Sequence, residues 1–188
     1  MVTIMKEKLI IIGFTGSLRR NSYNKAALFA AKEMLPKGVD LEILDISALP
    51  FFNEDVEAQG VPQSVVDFKN KLSSADAVLI STPEYNYSIP PVLKNALDWA
   101  SRGPDLPLYG KPLAIMSASL GMFGGARAQY HLRQVCVVLN MIPLNTPEVF
   151  IMQASTRFDE DGKLTDEYYR ASISELVQKL VATTLAMK

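Results

Sequence analysis

Short apolar runs alternate with longer amphipathic segments along most of the chain. The apolar runs are rich in β-branched residues and predict five buried strands, because a strand covered on both faces carries few polar positions. Each run is followed by a segment whose apolar positions recur with the period of a helix. The predicted strands cover residues 9–14, 40–45, 77–81, 112–117 and 144–150. Repeated strand–helix units of this kind predict an α/β fold with a doubly wound, five-stranded parallel sheet.

The intervening segments predict helices on both faces of that sheet. The predicted helices cover residues 23–34, 63–73, a segment that begins at Pro90 or Pro91, 126–140 and 165–187. The stretch from Pro50 to Pro62 contains Asn53 and Gly60 and predicts a loop. A chain of 188 residues is long enough for one substantial core and too short for two, so residues 1–188 are predicted to form a single domain.

The first predicted strand leads into a polar loop that opens a helix. Gly13 and Gly16 break the apolar run, and hydroxyl and amide side chains follow. A helix N-terminus offers unpaired N–H groups and the positive end of the helix dipole, so this junction is suited to phosphate. The loop has neither the lysine pattern of a triphosphate loop nor the G-x-G-x-x-G of a dinucleotide site. Its hydroxyls favour a monophosphate, with charge from Arg19 or Arg20. Alternatively, Ser22 only caps the helix and the arginines are solvated.

The loop after the third predicted strand, residues 82–89, mixes aromatic, acidic and amide side chains with proline. Proline fixes φ and lacks an N–H, so this loop is expected to be rigid and to present its remaining backbone donors. Tyr85 and Tyr87 offer flat apolar surface, which favours a planar heteroaromatic ligand. A proline-rich connector with a tyrosine packed beneath it is the alternative interpretation.

The loop after the fourth predicted strand, residues 117–125, is rich in glycine, so its backbone is able to approach a ligand closely. A flexible turn is the alternative. In the expected strand order 2-1-3-4-5, strands one, three and four are neighbours. Doubly wound sheets bind ligands beyond the carboxyl ends of their strands, at the point where the strand order reverses. All three loops are therefore expected to meet at one edge of the sheet.

Composition and charge narrow the range of partners. The chain is 48% hydrophobic and 21% charged, with a formal net charge of −1, so no nucleic-acid partner is expected. Its apolar runs are too short for a membrane span, and its first residues do not have the layout of a signal peptide. The single cysteine, Cys136, excludes internal disulfides and multi-cysteine metal sites. A reducing cytoplasm is the expected location.

Four motifs carry a resemblance to a known family. They are GSLRRNSYN at 16–24, PEYNYS at 83–88, LKNALDW at 93–99 and GGAR at 124–127. In order and spacing they resemble the flavodoxin-like NADPH-dependent FMN reductases. The run GARAQYHLRQ at 125–134 is similar to the branch described as chromate or quinone reductases. The resemblance extends over nearly the whole chain, from the first strand through Glu148.

The resemblance implies a set of FMN contacts on the three loops. The phosphate would be held by side chains and backbone N–H groups of the first loop: Ser17, Leu18, Arg19, Ser22, Tyr23 and Asn24. The isoalloxazine ring would lie along Pro83, Glu84, Tyr85 and Asn86 of the second loop. Ser117 would flank the ribityl chain or the ring, with a backbone contact expected because Ala118 stands where relatives often carry a hydroxyl.

Arg102 and Tyr87 are candidate substrate contacts. Arg102 follows the helix after the second loop, where it would meet the phosphates of the nicotinamide cofactor or an anionic acceptor. A surface arginine at a helix C-terminus, favoured there by the helix dipole, is the alternative. His131 and Cys136 are not expected to form a catalytic pair, because a spacing of five residues places them on different faces of a helix.

The resemblance further implies an oxidoreductase in which FMN carries the chemistry and no side chain is a catalyst. NADPH or NADH would deliver hydride to FMN. Quinones, free flavins, azo compounds or chromate would then accept the electrons, in ping-pong turnover. No metal is expected. Relatives are often dimers or tetramers, so a homodimer or homotetramer is expected.

Two functions of other classes are compatible with the same fold. A flavodoxin-type electron carrier would bind FMN without NAD(P)H turnover, but such carriers are strongly acidic and this chain is nearly neutral. A phosphoacceptor receiver domain needs an acidic cluster at the ends of strands one and three. Those ends carry Thr15, Ser17, Thr82 and Pro83 instead.

Overall fold

A computed structural model describes residues 8–188 of the chain. The strands are β1 (Leu9–Thr15), β2 (Val39–Leu44), β3 (Ala77–Thr82), β4 (Pro112–Ala118), β5 (Ile142–Pro143) and β6 (Val149–Ile151). The α-helices are α1 (Tyr23–Glu33), α2 (Glu54–Gln59), α3 (Gln63–Ser74), α4 (Pro91–Ala100), α5 (Ala126–Val138) and α6 (Glu167–Ala186). A 3-10 turn covers Ala154–Thr156. Among the described residues, no helix has the length and apolar character needed to cross a membrane.

The strands form one parallel sheet in the order β2-β1-β3-β4-β5, as predicted. Every residue of β3 and β4 is buried, which explains why these strands read as continuous apolar runs. Thr15 pairs in register with Ser81, and Thr82 pairs with Ser117. The carboxyl ends of β1, β3 and β4 therefore lie level with one another at one edge of the sheet.

Two hydrophobic cores lie on opposite faces of the sheet. Residues of α1 and α6 form the core on one face, and residues of α3, α4 and α5 form the core on the other. On α4 the buried apolar residues are spaced as one helical face: Leu93, Ala96, Leu97 and Ala100. Trp99 is also fully buried, and its indole N–H donates to the carbonyl oxygen of Pro50 at 2.7 Å. The prediction of helices on both faces is confirmed.

The predicted fifth strand, residues 144–150, is wrong in its bounds. The structure has two short strands there, β5 and β6, which pair with different parts of β4. Leu144 still donates its N–H to Leu113, but Pro147 interrupts the segment that follows. Because proline has no N–H to donate, a continuous ladder is not possible through this position.

The loop predicted between Pro50 and Pro62 contains a short helix, α2. Asn53 caps it, since its side-chain oxygen accepts a hydrogen bond from the N–H of Asp55 at 2.8 Å. Acidic residues occupy the first turn, where the helix dipole favours negative charge. No residue of α2 is buried, so the hydrophobic pattern did not indicate the helix. The capping residue and the acidic turn were the available signals.

Candidate functional site

The loops after β1, β3 and β4 meet at the carboxyl edge of the sheet, as predicted. The side chain of Asn24, on the first turn of α1, holds them together. Its Nδ2 donates to the carbonyl oxygen of Ala118 at 2.9 Å. Its Oδ1 accepts from the N–H of Ala118 at 2.9 Å and from the hydroxyl of Ser81 at 3.0 Å. Asn24 is buried, and these bonds occupy both ends of its amide.

The first loop presents a row of backbone donors at the start of α1. None of the N–H groups of residues 18–24 donates a hydrogen bond to another residue within 8–188. We call this group the amide cradle. Ser22 caps α1, because its hydroxyl accepts from the N–H of Lys25 at 3.2 Å. Open N–H groups at the positive end of a helix dipole form a site for an anion.

Gly16 allows the first loop to pack directly against α4. A Cβ at this position would lie 2.8 Å from Cγ of Pro90 and 2.9 Å from Cβ of Leu93. Those separations are too short for any side chain, so the backbone reaches this place only as glycine. The close contact brings the amide cradle next to the end of the second loop.

The second loop contains a tight reverse turn from Tyr85 to Ser88. The two residues exchange backbone hydrogen bonds of 2.9 and 3.0 Å. Asn86 and Tyr87, at the centre of the turn, have left-handed backbones with φ of 49° and 69°. Within 8–188, no residue accepts a hydrogen bond from the N–H groups of Glu84, Asn86 or Tyr87. Together with the exposed rings of Tyr85 and Tyr87, the loop offers open donors beside flat apolar surface.

Glu84 connects the second loop to the N-terminus of α5. Its buried carboxylate pairs with Nε of Arg127 at 2.5 Å and accepts from the N–H of Arg127 at 3.1 Å. Gly125, the residue before α5, has no side chain to cap the helix, so Glu84 does this from another loop. The guanidinium of Arg127 lies between the rings of Tyr87 and Phe123, 3.7 and 4.4 Å from their centres. Sequence reasoning did not pair Arg127 with Glu84, because the two residues lie far apart in the chain.

The third loop is held by Ser117 at its base. The Ser117 hydroxyl donates to the carbonyl oxygen of Gly124 at 2.6 Å and accepts from Nε2 of Gln129 at 2.8 Å. Gly125 has φ of +89°, and a Cβ there would lie 2.7 Å from Cβ of Ser117. The side chain of Ser117 is thus engaged within the protein. The N–H groups of residues 120–125 donate to none of the described residues, so this loop also presents backbone donors.

Arg102 lies at the end of α4 and is paired with α2. Its Nη2 lies 3.2 Å from the carboxylate of Glu57, and its guanidinium covers the ring of Phe52. In the described part of the chain, the polar contacts of Arg102 are with residues outside the three loops. A contact between Arg102 and a substrate stays a prediction.

His131 and Cys136 lie apart, as predicted. His131 is exposed, and its Nδ1 is 3.2 Å from the hydroxyl of Ser88. Cys136 is buried in the core against α4, and burial raises the pKa of its thiol to about 12. A protonated, inaccessible thiol is not a nucleophile. Within 8–188 the side chains form no cluster of three or more His, Cys, Asp or Glu residues that could hold a metal ion.

The whole sequence was also compared with known protein families. The sequence model of the family described as "NADPH-dependent FMN reductase" matches residues 9–156. The chain belongs to this family. The resemblance drawn from the motifs is thereby confirmed, and membership in a family of reductases favours an oxidoreductase over an electron carrier.

Several known oxidoreductases are similar to this chain over nearly their whole length. The chain is 51% identical to an NAD(P)H-dependent FMN reductase of Pseudomonas aeruginosa over 176 residues, which cover 94% of this chain and 95% of that protein. It is 44% identical to a quinone reductase of Escherichia coli over 166 residues, covering 87% and 88% of the two chains. The solved structure of FerB, a flavoenzyme NAD(P)H:(acceptor) oxidoreductase from Paracoccus denitrificans, matches with a TM-score of 0.86 and 31% identity. That match covers 95% of this chain and 98% of FerB.

The donor set on the three loops fits the cofactor of the NADPH-dependent FMN reductases. The amide cradle offers open N–H groups for a phosphate, with Arg19 and Arg20 beside it. The open donors of the second and third loops stand next to aromatic rings, which is what a flat ring with a polar edge requires. The carboxylate of Glu84 is engaged with Arg127 at the N-terminus of α5.

Proposed function

We propose that the protein is an FMN-dependent NAD(P)H oxidoreductase that reduces quinones, with NADPH or NADH as the hydride donor. Free flavins, azo compounds and chromate belong to the same range of acceptors. The observation that carries the proposal is the amide cradle beside the aromatic second loop. Bound FMN supplies the two-electron chemistry, and the protein supplies binding, orientation and exclusion of water.

The first loop is proposed to hold the FMN phosphate. Ser17 and Ser22 would donate through their hydroxyls, and Arg19 would supply positive charge. The backbone N–H groups of Leu18 and Tyr23 belong to the amide cradle, where the helix dipole also favours an anion. Since Asn24 has both ends of its amide engaged with Ala118 and Ser81, its proposed role is to hold the loop in position.

The second and third loops are proposed to hold the isoalloxazine ring. Pro83, Tyr85 and the open N–H groups of Glu84 and Asn86 would lie along its polar edge. The carboxylate of Glu84 is directed at α5, so its backbone alone is available to the ring. The side chain of Ser117 is also engaged within the protein. Its proposed role is to fix the backbone of the third loop through its hydrogen bond to Gly124.

The acceptor is proposed to bind over an apolar surface beside this site. Tyr87, Met122 and Phe123 are each more than half exposed there. A flat, apolar quinone matches aromatic rings of this kind, which stack on it without a demand for a particular hydrogen-bond pattern. Tyr87 is proposed to contact the substrate directly. Arg102 is proposed as a second substrate contact, further from the three loops.

A homodimer or homotetramer is proposed as the assembled form. Val137 and Val138, at the end of α5, are 78% and 82% exposed, and Tyr130 on the same helix is half exposed. Apolar side chains grouped on one helix are typical of a surface that associates with another subunit. Light scattering checks this: a mass close to 20.7 kDa at working concentration contradicts the assembly.

Absorption spectroscopy tests the proposed function directly. The purified chain, supplied with FMN and freed of excess, is expected to be yellow. NADPH or NADH added without oxygen is expected to bleach it, and a benzoquinone is expected to restore the colour. A chain that binds FMN but is bleached by neither nucleotide is an electron carrier, not an enzyme. The double substitution Ser17→Ala with Arg19→Ala is expected to release FMN, and unchanged affinity refutes the assignment of the first loop.

A further inference from the structure

A cavity of about 840 Å³ lies between α1 and the turn that follows β6. The turn, residues 158–164, is closed by a bridge between Phe158 and Leu164. Within it, the N–H of Asp159 donates to the carbonyl oxygen of Lys163 at 2.9 Å, and the N–H of Lys163 donates back to the Asp159 carboxylate at 2.7 Å. These bonds make the turn a fixed wall. Small-molecule sites commonly occupy a few hundred to about 1,000 Å³.

One end of the cavity is the first loop itself. Arg19, Arg20, Asn21 and Ser22 line it. These four residues also carry N–H groups of the amide cradle. A ligand whose phosphate is bound at the cradle therefore lies at the edge of the cavity. The proposed function assigns the FMN phosphate to the cradle, and the role of the cavity rests on that assignment.

The charged residues of the cavity come from two segments of the chain. The first loop and α1 contribute Arg19, Arg20, Lys25 and Glu33, and the turn contributes Asp159, Glu160, Asp161 and Lys163. Glu33 is paired with Arg170, whereas Arg19, Arg20 and Lys25 form no ion pair with a residue in the range 8–188, so the unpaired charge on the side of the first loop is positive. Cationic side chains next to an occupied phosphate site suit a second phosphate. The carboxylates of the turn suit the hydroxyls of a ribose or an exocyclic amine.

The side of α1 between these charges is apolar and partly flat. Phe29 is 51% exposed, and Ala26 beside it leaves room above the helix. The ring of Phe158 packs on the ring of Tyr23, with 5.1 Å between their centres, and extends the same surface. Phe29 is the exposed ring of this surface, and exposed aromatic rings stack on nucleobases.

We propose that this cavity binds an adenylate group, with its phosphate against Arg20 and Lys25, its ribose towards the acidic turn, and its adenine on Phe29. Two dinucleotides carry such a group, FAD and NAD(P)H. In FAD the adenylate continues from the phosphate held by the cradle, so FAD would replace FMN. In NAD(P)H the pyrophosphate would meet the same arginines from the side of the acceptor surface.

Two binding measurements on the flavin-free chain test the proposal. FMN and FAD are titrated in turn, and the ratio of their Kd values is taken. The substitution pair Lys25→Glu with Phe29→Ala removes a cation and a stacking surface from the cavity and leaves the amide cradle intact. The matched control is Lys32→Glu with Phe51→Ala, which makes the same chemical changes at exposed residues outside the cavity.

If the adenylate of FAD occupies the cavity, the substitution pair Lys25→Glu with Phe29→Ala is expected to raise the Kd of FAD by about tenfold or more. The Kd of FMN is expected to change by less than about twofold. If the adenylate is that of NAD(P)H, the Kd ratio stays constant and the KM for NADPH rises by a similar factor at saturating FMN. The control pair is expected to change neither quantity.

The outcomes separate this proposal from the proposed function. Binding of FMN together with an unchanged Kd ratio and an unchanged KM for NADPH overturns the adenylate site alone. Failure of the unsubstituted chain to bind FMN overturns the proposed function and the adenylate site with it. Far-ultraviolet circular dichroism and a thermal unfolding curve establish that both pairs are folded, which is expected since all four side chains are exposed.

Discussion

The amide of Asn24 forms hydrogen bonds with both the N–H and the carbonyl oxygen of Ala118, which lies 94 residues further along the chain. The same amide accepts a bond from the hydroxyl of Ser81. One side chain thus replaces the backbone ladder where the strands end. This position is the point at which the first and third loops are fixed relative to each other.

The substitution Asn24→Ala is expected to lower the free energy of unfolding by about 2–4 kcal/mol, because it leaves the N–H and carbonyl of Ala118 buried without partners. It is also expected to weaken FMN binding. Urea denaturation and a flavin titration measure the two effects. Asn21→Ala, at an exposed amide in the same loop, is the control and is expected to change stability by less than about 0.5 kcal/mol. An Asn24→Ala protein as stable as the control contradicts the role of this side chain.

The substitution Glu84→Gln tests the connection between the second loop and α5. It removes the charge that faces the Arg127 guanidinium and the N-terminus of the helix, and is expected to cost about 1–3 kcal/mol. Glu148→Gln is a matched control, since the Glu148 carboxylate is bound through an exposed contact to the Tyr130 hydroxyl. Thermal unfolding of both proteins measures the difference. Equal unfolding temperatures exclude an ionic cap on α5.

Stability is expected to depend on pH through Asp76. Burial acts to raise the pKa of this carboxyl, but hydrogen bonds from the Lys188 ammonium and the Ile10 N–H, with the charge of Lys111, outweigh it and hold the pKa below its usual 3.8. A carboxyl whose pKa is lower in the folded chain than in the unfolded chain stabilises the fold when the pH is above its pKa in the unfolded chain. This stabilisation is lost as the pH falls through its pKa in the folded chain.

Denaturation of Asp76→Asn and the unsubstituted chain, between about pH 7 and about pH 3, measures this contribution. The unsubstituted chain is expected to be more stable at neutral pH, by about 1 kcal/mol or less because the ion pair is partly exposed. The difference is expected to begin to shrink near about pH 4, close to the unfolded pKa, and to go on shrinking as the pH falls through the lower folded pKa. A difference that is constant over the whole range shows that the charge of Asp76 does not contribute.

Cys136 is expected to be unreactive in the folded protein. With its pKa raised to about 12 by burial, only about one thiol in ten thousand is ionised at pH 8. An aromatic disulfide reagent is therefore expected to react at the rate of unfolding, and to label one thiol per chain at once in guanidinium. Rapid labelling without denaturant contradicts the burial of this thiol.

Local pattern was sufficient for most of the fold. The order of the sheet and the place where the loops meet follow from apolar runs and from the regular alternation of strands and helices. The pattern failed where burial does not decide the structure. Helix α2 has no buried residue, so only its Asn53 cap and acidic first turn indicate it. The predicted fifth strand extends through Pro147 because the residues on either side are apolar.

The sequence predicts which segments form the candidate site better than it predicts the role of each side chain in them. Glycines, hydroxyls and prolines marked the three loops. The partners of Asn24, Glu84 and Ser117 lie in other segments, so nothing in the local sequence distinguishes a side chain that binds a ligand from one that fixes a loop. The 158–164 turn was overlooked for a similar reason, since its place beside α1 depends on contacts between distant parts of the chain.

Tyr87 limits how this protein can be re-engineered. Its left-handed backbone excludes β-branched residues and accepts glycine or asparagine most readily, so a random library at this position will return few folded variants with a large side chain. Met122 and Phe123 present similar exposed surface on ordinary backbone. Diversity introduced at those two positions, with Tyr87 kept, gives selection for new electron acceptors the larger number of viable starting points.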